Sequence, residues 1–339
     1  MSTILTPPRS YNQVHVPRKY TPGRRRVSVY VTWSYPGEAN RDITELDNRF
    51  STMNEVRRVG WPAFEDPQHA DPLLFQQGIA GTLELFFRAW ERFQDVVGEV
   101  TGHPVPMFQR VDHAGRKLLL DERVLADADT LMVFGLDHMV TEQEASPEEI
   151  EAVRAFLARE GTCLVLGPHH DVGVVADLKQ RNMEYAHHGD ALVPRQQRFG
   201  KYTRSLMQGL GVPVENRWGL RPLTLNGGAR VAPLSINRDL DTRGWLNGVT
   251  SFNFHMHLPH YAVLTDDPAA VRVLGRQPID LTRPHPFTEE GNREFNSFLW
   301  LPQAGARAGE ILLVDSTVFS TLFAGDESLE RFWKNLATV

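Results

Sequence analysis

One segment, residues 129–171, constrains the fold more than any other part of the chain. Residues 130–134 are a short apolar run that is typical of a strand buried in a parallel sheet. A helix is predicted to begin just after Ser146, because Ser146 can cap it, Pro147 suits its first turn and Glu149 completes a capping box. The segment therefore starts as a strand that leads into a helix.

A second buried strand is predicted directly after this helix, at residues 162–166. Gly161 suits the positive φ of a helix C-cap, and Gly167 and Pro168 end the strand. A strand, a helix and a strand joined by short connections predict a right-handed parallel crossover. The expected fold class is therefore α/β, with a mostly parallel sheet flanked by helices.

Apolar runs elsewhere supply the rest of the expected sheet and its helices. Strands are predicted at residues 27–33, near residue 212 and at residues 311–314, and helices at residues 73–97, 195–209 and 328–336. Many turns and short β-like runs predict a β-rich insertion at about residues 218–300. Residues 1–25 are predicted to form an irregular arm that mediates self-association. The remainder, residues 26–339, is expected to form a single α/β domain.

Charge and composition exclude several classes of function. The chain of 339 residues carries a formal charge of −6, which argues against electrostatic binding of nucleic acid. Its single cysteine, Cys163, cannot form an internal disulfide. No apolar run reaches the roughly 18 residues of a membrane span, and residues 1–26 lack the apolar core of a secretion signal. We expect a cytoplasmic protein that has no nucleic-acid or membrane partner.

Polar residues follow the predicted strands at their carboxyl ends, where open parallel sheets bind ligands. The first strand of the crossover is followed by Asp137 and His138, and the second by His169, His170 and Asp171. Since neighbouring parallel strands end at the same edge of a sheet, these side chains are expected to meet there. The edge is the predicted site.

Histidines are numerous, 13 in all, and two of them share an apparent strand. Alternation along that strand places His255 and His257 on the same face. A third ligand from a neighbouring strand end, such as His169, would leave an open position for water, as catalytic zinc sites require. Residues 187–190, interpreted as a loop, and residues 315–317 form further polar clusters.

Two kinds of chemistry fit these residues. A Zn-type divalent ion would lower the pKa of its bound water toward ~7 and supply hydroxide. Without a metal, a His–Asp pair can act as general acid and base near neutral pH. The number of histidines favours the metal. The predicted metal ligands are His138, His169, His170, His255 and His257, and the predicted catalytic residues are His169, Asp171 and Asp137.

Three motifs and a closing segment, residues 309–336, resemble the class I glutamine amidotransferase-like superfamily. The motifs are an acidic residue before a buried strand (127–134), an amphipathic helix (146–159) and a strand that ends in a sharp turn (160–169). Among its members, the ThuA-like proteins of trehalose utilisation look most similar, and they place a histidine at that turn, as His169 is placed here. The resemblance implies flavodoxin-like layering and a pocket at the turn.

The amidotransferases of that superfamily carry a nucleophilic cysteine at the turn, whereas Cys163 lies within the predicted strand. A glutaminase is therefore not expected. The leading hypothesis is a metal-dependent hydrolase or lyase that acts on a small polar molecule. The alternative is a catalytically inactive, amidotransferase-like binding or assembly protein in which the histidines are structural. A third interpretation, sugar recognition, rests on the family association alone.

Overall fold

The computed structural model describes most of the chain; the longest stretch that it leaves out is residues 35–87. The described residues are 12, 14, 16–34, 88–112, 114–135, 137, 143–189, 197–198, 200–253, 255, 257–323 and 327–339. Within these residues, no helix combines the length and the apolar character that crossing a bilayer requires.

Fourteen strands and seven α-helices lie within the described residues. The strands are β1 Val27–Ser34, β2 Met107–Val111, β3 Thr130–Gly135, β4 Cys163–Pro168, β5 Asp171–Val172, β6 Gln197–Arg198, β7 Val214–Leu220, β8 Thr224–Leu225, β9 Arg230–Val231, β10 Ser235–Ile236, β11 Leu258–Val263, β12 Arg272–Pro278, β13 Glu294–Leu301 and β14 Glu310–Val314. The helices are α1 Glu91–Thr101, α2 Glu122–Leu125, α3 Pro147–Leu157, α4 Leu178–His188, α5 Lys201–Leu210, α6 Pro286–Glu289 and α7 Glu327–Thr338.

Eight of these strands form one mixed sheet in the order β10-β12-β13-β14-β4-β3-β1-β2. The four pairings from β14 to β2 are parallel, and the three from β10 to β14 are antiparallel. Helices connect several of the parallel strands, as such pairings require. The predicted α/β class with a mostly parallel sheet is confirmed.

The predicted strand, helix and strand are present as β3, α3 and β4. The predicted end of the second strand is wrong, because Gly167 and Pro168 still pair with Phe134 and Gly135 of β3 and so belong to β4. Ser146 accepts a hydrogen bond from the backbone N–H of Glu149, whose side chain bonds back to Ser146, so the capping box is present. Strands β3 and β4 pair in parallel. The predicted C-cap is wrong, because the helix ends at Leu157 and Gly161 lies in the following turn at a φ of 74°. The Thr162 hydroxyl donates to carbonyls at the helix end and thereby helps to end the helix early.

Alternate residues of the parallel strands point to opposite faces of the sheet, and each face has its own apolar core. On one face, Val29, Phe134 and Val165 pack with residues of α1 and α7. On the other face, Leu131 and Leu164 pack with residues of α3 and α5. Both faces are therefore buried, which explains why these strands read as continuous apolar runs.

Two predicted helices have different bounds in the structure. The helix predicted at residues 195–209 is α5, which begins at Lys201 because residues 197–198 instead pair with β5 and Gly200 turns the chain at a φ of 74°. The helix predicted at residues 73–97 continues to Thr101 in its described part, α1. The predicted stretch 73–87 lies outside the described residues.

The region predicted as a β-rich insertion, about residues 218–300, is connected to the main sheet. It contributes β10, β12 and β13, the antiparallel part of that sheet. It also contributes β11, which pairs antiparallel with β7 in a separate two-stranded sheet. Tyr261 on β11 donates a 3.0 Å hydrogen bond to the carbonyl of Pro168 at the end of β4. This bond ties the small sheet to the edge where polar residues were predicted to meet.

The described part of the predicted N-terminal arm contacts its own chain. The side chain of Asn12 donates to and accepts from the backbone of Gln109 on the edge strand β2, at 2.7 Å each. The Thr21 hydroxyl donates to the carbonyl of Gly102, and the ring of Tyr20 contacts that of His103. These contacts cover the edge of the sheet at β2. Self-association through the arm stays a prediction.

Candidate functional site

Two neighbouring strands, β4 and β14, bring His169 and Asp315 to the same edge of the sheet. The strands pair in parallel, and each residue follows the end of its strand. Gly167 permits the close approach, since a Cβ there would lie 2.9 Å from the backbone nitrogen of Ser316. The Ser316 hydroxyl donates a 2.9 Å hydrogen bond to the Gly167 carbonyl. The two strand ends are thus bound directly to each other.

His169 and Asp315 form a buried hydrogen-bonded pair. Nδ1 of His169 donates to Oδ2 of Asp315 at 2.6 Å, and both side chains are less than one tenth exposed. Burial alone would raise the pKa of Asp315, but its electrostatic interaction and hydrogen bond with His169 and the hydroxyl of Thr317 lower it below its usual value. The carboxylate therefore stays ionised and fixes the orientation of the imidazole.

His255 and His257 lie beside this pair, although not on a strand as predicted. The described residues between 251 and 257 have no strand pairing, and β11 begins only at Leu258. Local side-chain bonds hold this segment instead, because Asn253 donates a 2.6 Å hydrogen bond to the Thr317 carbonyl and His255 Nδ1 contacts both the carbonyl and the N–H of His257. The ring centres of His255 and His257 lie 5.2 and 5.6 Å from that of His169.

His170 contacts a histidine that the sequence analysis did not select, His188. The prediction of a loop at residues 187–190 is wrong for residues 187–188, which form the last turn of α4, because Asp177 caps that helix and it continues to a Gly189 at a φ of 105°. Nε2 of His170 and Nε2 of His188 share a 3.0 Å hydrogen bond. The His188 ring stacks on that of His257 with 3.6 Å between centres.

Five histidines thus meet in one buried group, which we call the histidine cluster: His169, His170, His188, His255 and His257. Two sets of three have nitrogen atoms that all lie within 4.8 Å of one another. The first triad is His169, His255 and His257, and the second triad is His170, His188 and His257. Sets of nitrogens this close are compatible with a shared metal ion.

The environment of the cluster favours neutral imidazoles. Burial, together with the neighbouring His169, lowers the pKa of His255 to about 3. Burial and the surrounding histidines also hold the pKa values of His170 and His257 well below the usual value. Nδ1 of His257 is buried and has no hydrogen-bond partner among the described residues. Neutral imidazole is the form that binds metals, so the protonation state suits a metal site.

The other predicted site residues have different partners. Asp137 accepts hydrogen bonds from the Thr32 hydroxyl and from the Tyr202 N–H in the first turn of α5, and burial raises its pKa to about 6. Asp171 forms a 2.6 Å ion pair with Arg204. Neither aspartate belongs to either triad. His138 lies outside the described residues.

Cys163 occupies the first position of β4 and is fully buried. Burial raises the pKa of its thiol to about 12. A thiolate is the nucleophilic form of cysteine, so this side chain is not an activated nucleophile near neutral pH.

Sequence reasoning missed Asp315 and His188 for identifiable reasons. Asp315 follows a predicted strand just as His169 does, but its selection required the knowledge that β14 lies next to β4. His188 was assigned to a loop, whereas the capping residue Asp177 indicates a helix that carries it. The sequence contains both signals, Asp315 after its strand and Asp177 at the helix start. Only the capping signal of Asp177 can be recognised from neighbouring residues alone.

Comparison with known proteins does not identify the chain, since no protein-family model and no curated protein matches it.

Proposed function

We propose that this protein is a metal-dependent hydrolase or lyase whose divalent ion, of the zinc type, is bound by the first triad. The observation that carries the proposal is the convergence of three buried imidazoles from distant parts of the chain, His169, His255 and His257, beside the ionised Asp315. Burying imidazoles together in an apolar core costs free energy unless their ring nitrogens have hydrogen-bond or metal partners.

The contacts within the triad suggest which nitrogen atoms would bind the ion. Nδ1 of His169 is bound to Asp315 and Nδ1 of His255 contacts the backbone of His257, so Nε2 is the nitrogen through which each ring is proposed to bind. Three imidazole ligands leave the fourth position of a zinc ion for water or substrate. An ion there would supply hydroxide near neutral pH. Asp315 orients His169 and raises its basicity as a ligand.

The place of the triad in the fold favours a small polar substrate. The site lies beyond the carboxyl ends of β4 and β14, where open α/β sheets bind ligands. Asp171, paired with Arg204, and Asp137 are the carboxylates assigned to proton transfer. Asp137 has a pKa near 6, which suits a general acid or base at neutral pH. The domain is proposed to be amidotransferase-like with flavodoxin-like layering, nearest the ThuA-like proteins, and cytoplasmic.

Metal content tests the proposal directly. Full-length protein is loaded with Zn²⁺, dialysed and analysed for bound metal by mass spectrometry, beside His255→Ala and His103→Ala. His103 is a buried histidine outside the cluster, bonded to the Thr21 N–H, and serves as the matched control. We expect His255→Ala to lose one equivalent of zinc while His103→Ala keeps the wild-type content.

Two results would contradict this function. The first is wild-type protein that binds no zinc. The second is a His255→Ala variant that has a native circular dichroism spectrum and the same zinc content as the wild type. Either result favours the inactive binding or assembly protein, in which the histidines only pack.

A further inference from the structure

The three imidazoles of the first triad are held in different ways. Asp315 orients His169 through its Nδ1, and Nδ1 of His255 contacts the backbone of His257. Nδ1 of His257 is buried and has no hydrogen-bond partner among the residues that the structure describes. The orientation of the His257 ring therefore depends on the side chains that pack against it.

The ring of His188 packs on the face of His257. The two ring centres lie 3.6 Å apart, and the ring planes are inclined by only 21°. Because the lone pairs of stacked rings lie in nearly parallel planes, they cannot converge, and the second triad does not fit a shared ion. A flat ring against its face does, however, restrict rotation of the His257 imidazole about its Cβ–Cγ bond. Building on the proposed function, we propose that His188 is a positioning residue, whose stacked ring holds His257 in the orientation with which it binds the divalent ion.

A second ring, that of His170, fixes His188 in this position. Nε2 of His188 shares a 3.0 Å hydrogen bond with Nε2 of His170, and the two ring planes are inclined by 78°. The His170 ring also meets the His257 ring edge to face, with 4.7 Å between their centres. His257 is thus packed against two rings that are bonded to each other, so His188 cannot turn away from it without breaking that bond.

The end of α4 determines where the His188 ring lies. The preceding residue, His187, attaches the last turn of the helix to two other segments. Its Nδ1 donates a 2.9 Å hydrogen bond to the carbonyl of Arg283, and its Nε2 accepts a 3.0 Å bond from the N–H of Arg221. The helix then ends at Gly189, whose φ of 105° turns the chain away. The backbone that carries His188 is therefore fixed independently of the cluster.

Gly219 on β7 leaves the space that the His188 ring occupies. A Cβ at this position would lie 2.5 Å from Cδ2 and 2.9 Å from Nε2 of His188. It would also lie 3.3 Å from Cβ of His170. Any side chain at position 219 would therefore displace the His188 ring from its present place. Gly219→Ala disturbs the stack on His257 without removing any imidazole.

Metal affinity and ligand geometry test this role, because a residue that only stabilises the fold would change neither in folded protein. Metal-free full-length protein is titrated with Co²⁺ and followed by calorimetry and by visible absorption, whose bands report the ligand geometry. We expect His188→Ala to alter the bands and to lower the affinity by about tenfold or more, as loss of groups that orient ligating histidines does. His188→Phe keeps a flat ring without nitrogens and should restore both. The control is His103→Ala, since the His103 ring also contacts an aromatic ring, Tyr20, but outside the cluster.

The outcomes separate this inference from the function on which it rests. A folded His188→Ala protein with the Co²⁺ affinity and bands of the wild type overturns the positioning role and leaves the first triad intact. If His188→Phe binds as weakly as His188→Ala, the nitrogens of His188 are required and the stack is not the reason. A wild type that binds no metal overturns the proposed function as well. If His188→Ala does not fold, Gly219→Ala decides, and an unchanged affinity in that variant contradicts the proposal.

Discussion

Asp315 and His169 are 146 positions apart in the sequence, yet their side chains share a buried 2.6 Å hydrogen bond. The bond exists because β14 and β4 are adjacent in the sheet and end together. It fixes the tautomer and the direction of the His169 imidazole. A buried carboxylate placed behind a histidine is the usual arrangement behind metal-binding imidazoles.

Loss of the Asp315 charge is expected to weaken metal binding without unfolding the protein. Asp315→Asn should lower zinc affinity by about 10–100-fold, since outer-shell partners of ligating histidines have effects of this size. The measurement is competition with a chromogenic chelator. Asp241→Asn is the control, because Asp241 is a buried carboxylate that accepts hydrogen bonds from the backbone of residues 244–246. Equal affinities in the two variants would argue against a positioning role for Asp315.

Buried neutral histidines are expected to make the fold sensitive to acid, and His285 allows a clean test. Burial, followed by the neighbouring His187, lowers the pKa of His285 to about 3, whereas an unfolded histidine titrates at about 6.5. Between these values the unfolded chain binds a proton that the folded chain does not. The free energy of unfolding therefore falls as the pH is lowered through this window, by about 1.4 kcal/mol per pH unit for this one group.

His285→Asn removes this titration and keeps an N-cap, since His285 caps α6 through Nδ1. Between about pH 7 and about pH 5, the wild type should lose about 2 kcal/mol more stability than the variant. Urea unfolding at the two pH values measures the difference. Identical pH dependence in both proteins would show that His285 does not titrate differently in the folded state.

Loss of the Arg110–Glu149 ion pair is expected to destabilise the fold strongly. Both side chains are at most 1% exposed, and Glu149 also accepts hydrogen bonds from the Leu120 N–H and the Tyr202 hydroxyl. Glu149→Gln leaves the Arg110 charge uncompensated and should cost about 3–5 kcal/mol. Urea denaturation provides the measurement.

The matched control for that pair lies on the same helix. Glu151 contacts Arg154 at 3.4 Å, and its side chain is 73% exposed. Glu151→Gln should change stability by less than about 0.5 kcal/mol. If Glu149→Gln lowers the free energy of unfolding as little as the control does, then water or a rearranged side chain compensates the charge of Arg110.

Cys163 is expected to be inert while the protein is folded. Burial raises the pKa of the Cys163 thiol to about 12, so the side chain is a neutral thiol. Burial also keeps reagents in solution from reaching it. A thiol-reactive disulfide reagent should label the protein only after addition of denaturant, and Cys163→Ala should retain the metal affinity of the wild type. Rapid labelling of the native protein would contradict the buried position of Cys163.

Local sequence signals predicted the strands β1, β3, β4 and β14 and the helix α3, because the interactions that define them lie within a few residues. Strand β2, at the edge of the same sheet, was not predicted. Ser146 and Glu149 define the start of α3 through their reciprocal hydrogen bonds. The apolar runs of β3, β4 and β14 follow from burial on both faces of the sheet. The bounds of α5 were less accurate, since its start depends on the pairing of residues 197–198 with β5.

The candidate site was predictable only in part. His169 and His170 follow a predicted strand, so their position at the sheet edge could be inferred. The placement of His255 and His257 depends on Asn253, whose hydrogen bond to the Thr317 carbonyl has no local signature. Asp315 required the order of strands in the sheet, which is set by long-range packing and not by the residues of β14 alone.

The position of β14 between β4 and β13 has a consequence for the order in which the protein folds. A chain in which only β1 to β4 have assembled contains His169 but lacks its carboxylate, and the loop that carries His255 has nothing to attach to. Pairings between segments this far apart form slowly, because a long loop must close first. The imidazole group is therefore expected to become organised only after β14 has paired with β4.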